Sequence, residues 1–230
     1  MAHLSNIELF YTPPVSITGN ELILQDDEFH HAVNVMRSSV GNTLYVTDGE
    51  GTIYRSEILK IKKNDLAARI VEKFVYGNKA ENIFFCIPVL KNPDRLKFAI
   101  EKSVELGITN FILFHSKHSL SKKMKPEKFQ NTALSAMKQS LRSFLPKIIS
   151  SGFEEIINLK VMKILFAQSS EKAFEGNNEE KNPVYFLFGP EGGFDNKELN
   201  SVDSKYRYNL STNRLRSETA IVKCASMLKL

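Results

Sequence analysis

Val184-Tyr185-Phe186-Leu187-Phe188-Gly189-Pro190-Glu191-Gly192-Gly193-Phe194-Asp195 decides the architecture of this 230-residue chain. A continuous apolar run of this length reads as a strand covered on both faces, the habit of parallel sheets packed between helices. The glycines and the proline that follow let the backbone turn sharply and come close to a ligand. They do so at the carboxyl end of the strand, where open α/β sheets bind small molecules. Asp195, with Glu198 three residues on, forms a capping box that opens a helix. Neither GxGxxG nor GxxxxGK[ST] occurs, which argues against a dinucleotide fingerprint and a phosphate-binding P-loop.

The same alternation extends upstream and downstream. Ile83 to Val89, Phe111 to Phe114, Met162 to Ala167 and Tyr206 to Leu210 are further apolar runs of strand length. Between the first two, Asn92 caps a helix with Pro93 in its first turn, Leu96, Ile100 and Val104 on one face, and Gly107 as terminator. A second helix is expected from Pro126 to about Leu141. From residue 77 onward the pattern predicts an α/β fold around a mostly parallel sheet.

The first 75 residues differ. Ile7 to Tyr11, Glu21 to Leu24, Thr43 to Thr47, Thr52 to Ile61 and Ala67 to Phe74 are rich in β-branched and aromatic residues. Asp48-Gly49-Glu50-Gly51 and Lys63-Asn64-Asp65 mark turns between them. One helix, capped by Asp26 or Asp27 and presenting Phe29, Val33 and Met36, interrupts the strands. A small β-barrel fits better than a sandwich, because so few strands would leave two open sheets. The predicted domains are therefore 1–76 and 77–230.

Charge divides at the same place. Residues 1–75 carry 7 Lys/Arg and 10 Asp/Glu, a balance of −3, and residues 76–230 carry 24 and 16, a balance of +8. Within the second part, His115 to Lys147 holds Lys117, Lys122, Lys123, Lys125, Lys128, Lys138, Arg142 and Lys147 against the single acid Glu127. Such a field attracts nucleic-acid phosphates, although a solvated basic helix has the same composition. Cys86 and Cys224, 138 positions apart in apolar segments, read as core residues. The histidines lack metal-ligand spacing, so no metal is expected. No apolar run reaches membrane-spanning length, and residues 1–6 lack the features of a signal peptide, so the expectation is a cytoplasmic protein with no membrane partner.

A second junction, Leu210-Ser211-Thr212-Asn213-Arg214-Leu215-Arg216-Ser217-Glu218-Thr219-Ala220, again runs from a strand end through a polar loop into a helix, with Ser217 as a cap and Ala220, Ile221, Cys224, Ala225 and Leu228 as an apolar stripe. The two loops Gly189-Pro190-Glu191-Gly192-Gly193 and Leu215-Arg216-Ser217-Glu218-Thr219-Ala220 resemble the cofactor loops of the RsmE-type 16S ribosomal RNA uridine-N3 methyltransferases of the SPOUT superfamily. His30-His31 with Met36-Arg37 and Gly41, the stretch Lys91 to Gly107, and Gln139-Ser140 with Arg142 and Pro146 are similar to the same family, in order along nearly the whole chain.

The resemblance implies a PUA-like barrel followed by a SPOUT-type domain with a trefoil knot, a homodimer, S-adenosyl-L-methionine as cofactor, and 16S rRNA of the small ribosomal subunit as partner and substrate. It implies Gln168, Gly189, Glu191, Gly192, Gly193, Leu210, Leu215, Arg216 and Thr219 as cofactor-binding positions. Arg142 and Arg216 are then candidates to stabilise charge on the uracil oxygens, and Glu191 or Glu218 to accept the N3 proton. Arg37, Lys117, Lys122, Lys123, Lys125, Lys138 and Arg142 are candidate RNA contacts. Ser211, Asn213, Arg214 and Lys138 depart from the family pattern, the last replacing an acid. Two other readings remain: another SPOUT RNA methyltransferase acting on tRNA or a ribose 2′-hydroxyl, and a non-catalytic RNA-binding protein of ribosome assembly.

Overall fold

The computed structural model describes residues 4–116, 125–176 and 182–230. They form two compact units, one made of residues up to 78 together with 137–145, the other of 79–136 with 146–230.

The first unit is a curled six-stranded sheet of β1 (Leu9–Tyr11), β2 (Ile17–Thr18), β3 (Glu21–Gln25), β4 (Thr43–Thr47), β5 (Thr52–Ile61) and β6 (Asp65–Val75), in the order β1-β4-β5-β6-β3-β2. Only β1 and β4 run parallel; the other pairs are antiparallel. Two register shifts in the β5–β6 ribbon bend it. The hydroxyl of Thr12, just past β1, donates to the carbonyl of Ile23 in β3 at 2.6 Å, so the sheet curls back toward itself. Strict alternation in β3, with Leu22 and Leu24 buried between exposed Glu21, Ile23 and Gln25, sends one face into a core with Phe10, Leu44, Val46, Ile58 and Leu66.

The helical insert departs from expectation. Its first turn, α1 (Asp26–His30), follows Gln25 as N-cap with no side-chain cap bond, so neither Asp26 nor Asp27 caps it. His31–Val35 is a π-helical turn, with the Met36 amide bonded to the His31 carbonyl. The wider turn rotates the face: Phe29 and Ala32 are buried, whereas Met36 is exposed.

The second unit comprises β7 (Ile83–Pro88), α2 (Pro93–Glu105), β8 (Asn110–His115), α3 (Glu127–Gln139), β9 (Lys147–Gly152), α4 (Phe153–Asn158), β10 (Met162–Phe166), β11 (Val184–Phe188), α5 (Asn196–Asn200), β12 (Arg207–Tyr208) and α6 (Ser217–Met227). The strand order is β12-β10-β11-β7-β8-β9, and every pair is parallel. Asn92 caps α2 by accepting the Asp94 amide at 2.8 Å, and Gly107, at φ +103°, ends the chain's turn out of it. β9 is an edge strand with exposed Lys147, Ile149 and Ser150, so it lacks the continuous apolar run by which the inner strands are read from sequence. β11, although eleventh in the chain, occupies the slot between β10 and β7.

The stretch 137–145, which the charge pattern groups with the second domain, belongs to the first unit. Lys138, half-buried, pairs with Glu28, whose other carboxylate oxygen accepts the Tyr11 amide. Beyond the left-handed residue Leu141, residues 143–145 lie along the Asp48–Gly51 turn. Gly51 N–H donates to Ser143 O at 3.0 Å and Leu145 N–H to Gly49 O at 2.8 Å. A Cβ on Gly49 would lie 2.9 Å from both the Leu145 Cβ and the Tyr11 ring, at a φ of +74°. Gly49→Ala is therefore expected to cost about 1–3 kcal/mol through strain and overpacking. Thermal unfolding should show a midpoint lowered by several degrees; an unchanged midpoint would contradict this packing.

Candidate functional site

Three neighbouring parallel strands end side by side, β10 at Phe166, β11 at Phe188 and β12 at Tyr208, so the loops that leave them gather at one edge of the sheet. With Arg95 from the first turn of α2, these loops enclose a cavity of about 680 Å³, within the usual range for small-molecule sites. Phe166 and Phe188 line it, stacked with centroids 5.2 Å apart. Pro190, Leu210, Leu215 and Ala220 add apolar wall.

A chain of hydrogen bonds ties the loops together. The Gln168 amide donates to the carbonyls of Ser211 and Thr212 at 3.1 and 3.3 Å, joining the β10 loop to the β12 loop. Ser217 Oγ donates to the Gly189 carbonyl at 2.7 Å, joining the β12 loop to the β11 loop. Glu191 Oε1 accepts the Lys91 amide at 3.1 Å, joining the β11 loop to the β7 loop. Ser217 is thus the first residue of α6, with Arg216 as N-cap, and its hydroxyl serves this crosslink instead of capping the helix as its sequence position suggests.

The Gly-Pro loop needs its glycines. Gly193 sits at φ +74° and donates its N–H to Pro190 O at 2.9 Å, closing the turn. A Cβ on Gly189 would come 3.3 Å from the Phe194 ring. Asp195 and Glu198 form the expected capping box of α5, each side chain accepting the other's amide. Buried Glu198 also takes the Ser116 hydroxyl at 2.8 Å from the end of β8.

Of the residues singled out in the sequence, Gln168, Gly189, Glu191, Gly192, Gly193, Leu210, Leu215 and Arg216 line the cavity. Thr219 and Glu218 do not. Thr219 is exposed on α6, and Glu218 is buried, paired through Oε1 with Arg95 Nε at 3.5 Å. Arg37, Lys138 and Arg142 belong to the first unit. Arg37 is exposed at φ +54° and Arg142 is half-buried, its basicity lowered by burial. Lys125 is exposed, while Lys117, Lys122 and Lys123 lie outside the described residues.

Sequence reasoning missed Arg95, which stands beside the buried face of α2, and the apolar floor of Phe166 and Phe188. Among the described residues, no group of three His, Cys, Asp or Glu could hold a metal ion, and no helix is long and apolar enough to cross a membrane.

The RNA methyltransferase domain family matches residues 78–229, and the RNA methyltransferase PUA domain family matches residues 24–71. The chain belongs to the RNA methyltransferase family. The match spans the second unit up to its last residue but one, cavity loops included, and the PUA match falls within the first unit of this RNA methyltransferase.

Among its relatives, the ribosomal RNA small subunit methyltransferase E of Bacillus subtilis is 24% identical over 237 aligned positions, covering 94% of this chain and 90% of the relative. That of Mesomycoplasma hyopneumoniae is 29% identical, covering 74% and 80%. The crystal structure of a ribosomal RNA small subunit methyltransferase E from Neisseria gonorrhoeae bound to S-adenosyl methionine superposes with a TM-score of 0.84 at 23% identity over 96% of both chains, a likeness of fold.

Two outcomes test the geometry. Ser217→Ala removes the crosslink at Gly189 and is expected to cost about 1 kcal/mol of stability, more if the carbonyl is left unpaired; chemical denaturation measures it. Cys86 and Cys224 are fully buried and burial pushes both thiols well above their ordinary range. In the folded protein neither should react with a thiol reagent at pH 8, whereas both should react once it is unfolded.

Proposed function

We propose that this chain is an S-adenosyl-L-methionine-dependent methyltransferase acting on N3 of a uridine in 16S rRNA of the small ribosomal subunit. The observation that carries the reading is the cavity at the ends of β10, β11 and β12, in a chain of the RNA methyltransferase family whose relatives are named as small-subunit rRNA methyltransferases.

The residues present fit the cofactor. An adenosine moiety needs apolar faces and backbone partners, which Phe166, Phe188, Leu210, Leu215 and the glycine loop offer. The close approach at Gly189, where a Cβ would press on Phe194, and the turn closed at Gly193 hold that loop in one shape. When bound, the cofactor supplies an electrophilic methyl group that passes from sulfur to N3 as the N3 proton is lost. The protein's part is alignment, charge stabilisation and proton acceptance.

Arg216 lines the cavity and is the group assigned to the developing charge on the uracil oxygens; Arg142, which the resemblance also offers for that role, is not among the residues that line it. Glu191 lines the cavity as well and is the carboxylate assigned to the proton, since Glu218 lies outside the lining. A protein nucleophile is not required, in keeping with both cysteines being buried away from the cavity. N3 lies on the Watson–Crick edge, so the base must be unpaired or splayed out to react.

The same resemblance carries a homodimer, a cytoplasmic setting and a knotted C-terminus. The knot is supported by Gly176, whose added Cβ would lie 2.3 Å from the Met227 carbonyl, so the loop after β10 runs against the end of α6. The basic run through Lys122, Lys123 and Lys125 is assigned to RNA phosphates.

Calorimetry should detect S-adenosyl-L-methionine binding, and Arg216→Ala should lower turnover on small-subunit RNA by about 10²-fold or more, the scale of a lost charge-stabilising donor. Mass mapping of 16S rRNA from a strain lacking the protein should show one 3-methyluridine missing; an unchanged level would falsify the uridine assignment. Neutralising Lys122, Lys123 and Lys125 together should reduce RNA affinity and its salt dependence without altering cofactor affinity.

A further inference from the structure

Arg95 is a cavity-lining cation that the motifs leave unexplained. It is far in sequence from the three loops, yet it faces the same space as Glu191, Arg214 and Arg216. Its Nε lies 3.5 Å from Glu218 Oε1 in an ion pair, and among the described residues no protein group engages its terminal amino groups. Glu218 is 8% exposed, and its second oxygen, Oε2, is buried with no hydrogen-bond partner. A buried carboxylate held by a single long ion pair is a costly arrangement for stability alone. It does have a use: a carboxylate on the Nε side holds the guanidinium by charge and leaves its outer edge ready for a second acceptor. That edge is suited to two coplanar anionic oxygens.

The cavity wall carries three guanidinium groups and one carboxylate, and Glu191 is already bonded to the Lys91 amide. Arg214 and Arg216 are exposed on the loop after β12, whereas Arg95 is anchored to a helix and braced from behind. We propose that Arg95, oriented by Glu218, is the fork that binds an oxyanion of the bound reactants and so positions them. The oxyanion is either the carboxylate of the cofactor's amino-acid moiety or a phosphate flanking the target nucleotide. This rests on the methyltransferase reading; it makes Glu218 a positioning residue and not the proton acceptor.

The test uses the full chain, wild type and Arg95→Met, with S-adenosylhomocysteine, with 5′-methylthioadenosine, which lacks the amino-acid carboxylate, and with 16S rRNA. If the carboxylate is the ligand, Arg95→Met weakens S-adenosylhomocysteine about tenfold or more and leaves 5′-methylthioadenosine unchanged. If a phosphate is the ligand, both nucleoside affinities stay and the KM for RNA rises about tenfold at nearly constant kcat, with a shallower salt dependence. In either case Arg95→Lys, which keeps the charge without the fork, should recover part of the loss, and Glu218→Gln should lose in the same direction to a smaller degree. Arg95→Met that binds all three as wild type does, or that weakens both nucleosides equally, overturns the proposal. A wild-type protein that binds neither nucleoside overturns the methyltransferase reading and this proposal with it.

Discussion

Four loops at one edge of a parallel sheet are held by hydrogen bonds to one another's backbone, and the cavity exists because of that linkage. Gln168 reaches the carbonyls of Ser211 and Thr212, Ser217 reaches Gly189, and Glu191 reaches Lys91. None of these is a regular ladder bond. The Gln168 and Glu191 bonds join loops of neighbouring strands, β10 with β12 and β11 with β7, whereas the Ser217 bond reaches from the β12 loop past β10 to the β11 loop. The strand order brings polar loops together, and the side chains then fix their spacing. A glycine-rich loop alone would be free to sample many shapes; here its carbonyl, its turn and its carboxylate are each tied down, which reduces the ordering cost a ligand would otherwise meet on binding.

Charge is organised on a coarser scale. The front of the chain is acidic and the remainder basic, but that division does not coincide with the folded units, because residues 137–145 join the first. Lys138 is neutralised there by Glu28, so one cation of the basic run is spent within the unit. Lys125, Lys128 and Lys147 are exposed and keep their charge available to solvent and to polyanions. The glycines of the Asp48–Gly51 turn serve the same excursion, since side chains at 49 and 51 would meet Leu145 and Phe144.

Much of the fold is legible in the sequence where burial is two-sided. β7 and β11 are continuous apolar runs, β8 and β10 are built on shorter ones, and α2 carries its cap and terminator in plain view. Where burial is partial the sequence is quieter. β9 exposes most of its residues at an edge, and the π-turn at His31–Val35 displaces Met36 from the face that a regular helix would give it. The site divides along the same line. Gly189, Gly192 and Gly193 announce themselves because few residues tolerate such a turn, and the loop before α6 is rich in donors. Arg95 and the Ser116–Glu198 bond are invisible, because their meaning lies in partners 123 and 82 positions away. Ser217 shows the limit of local reading: a serine at a helix start suits a cap, yet its hydroxyl is given to the neighbouring loop.

On the proposed function, S-adenosyl-L-methionine enters the cavity walled by the loops after β10, β11 and β12. Hydrogen–deuterium exchange of the full chain with and without S-adenosyl-L-methionine addresses it without presupposing any side chain's role. Added protection should concentrate in peptides covering 167–169, 189–194 and 210–217, with the exposed edge strand β9 unchanged. Protection that falls elsewhere, or none at a saturating cofactor concentration, would contradict the claim.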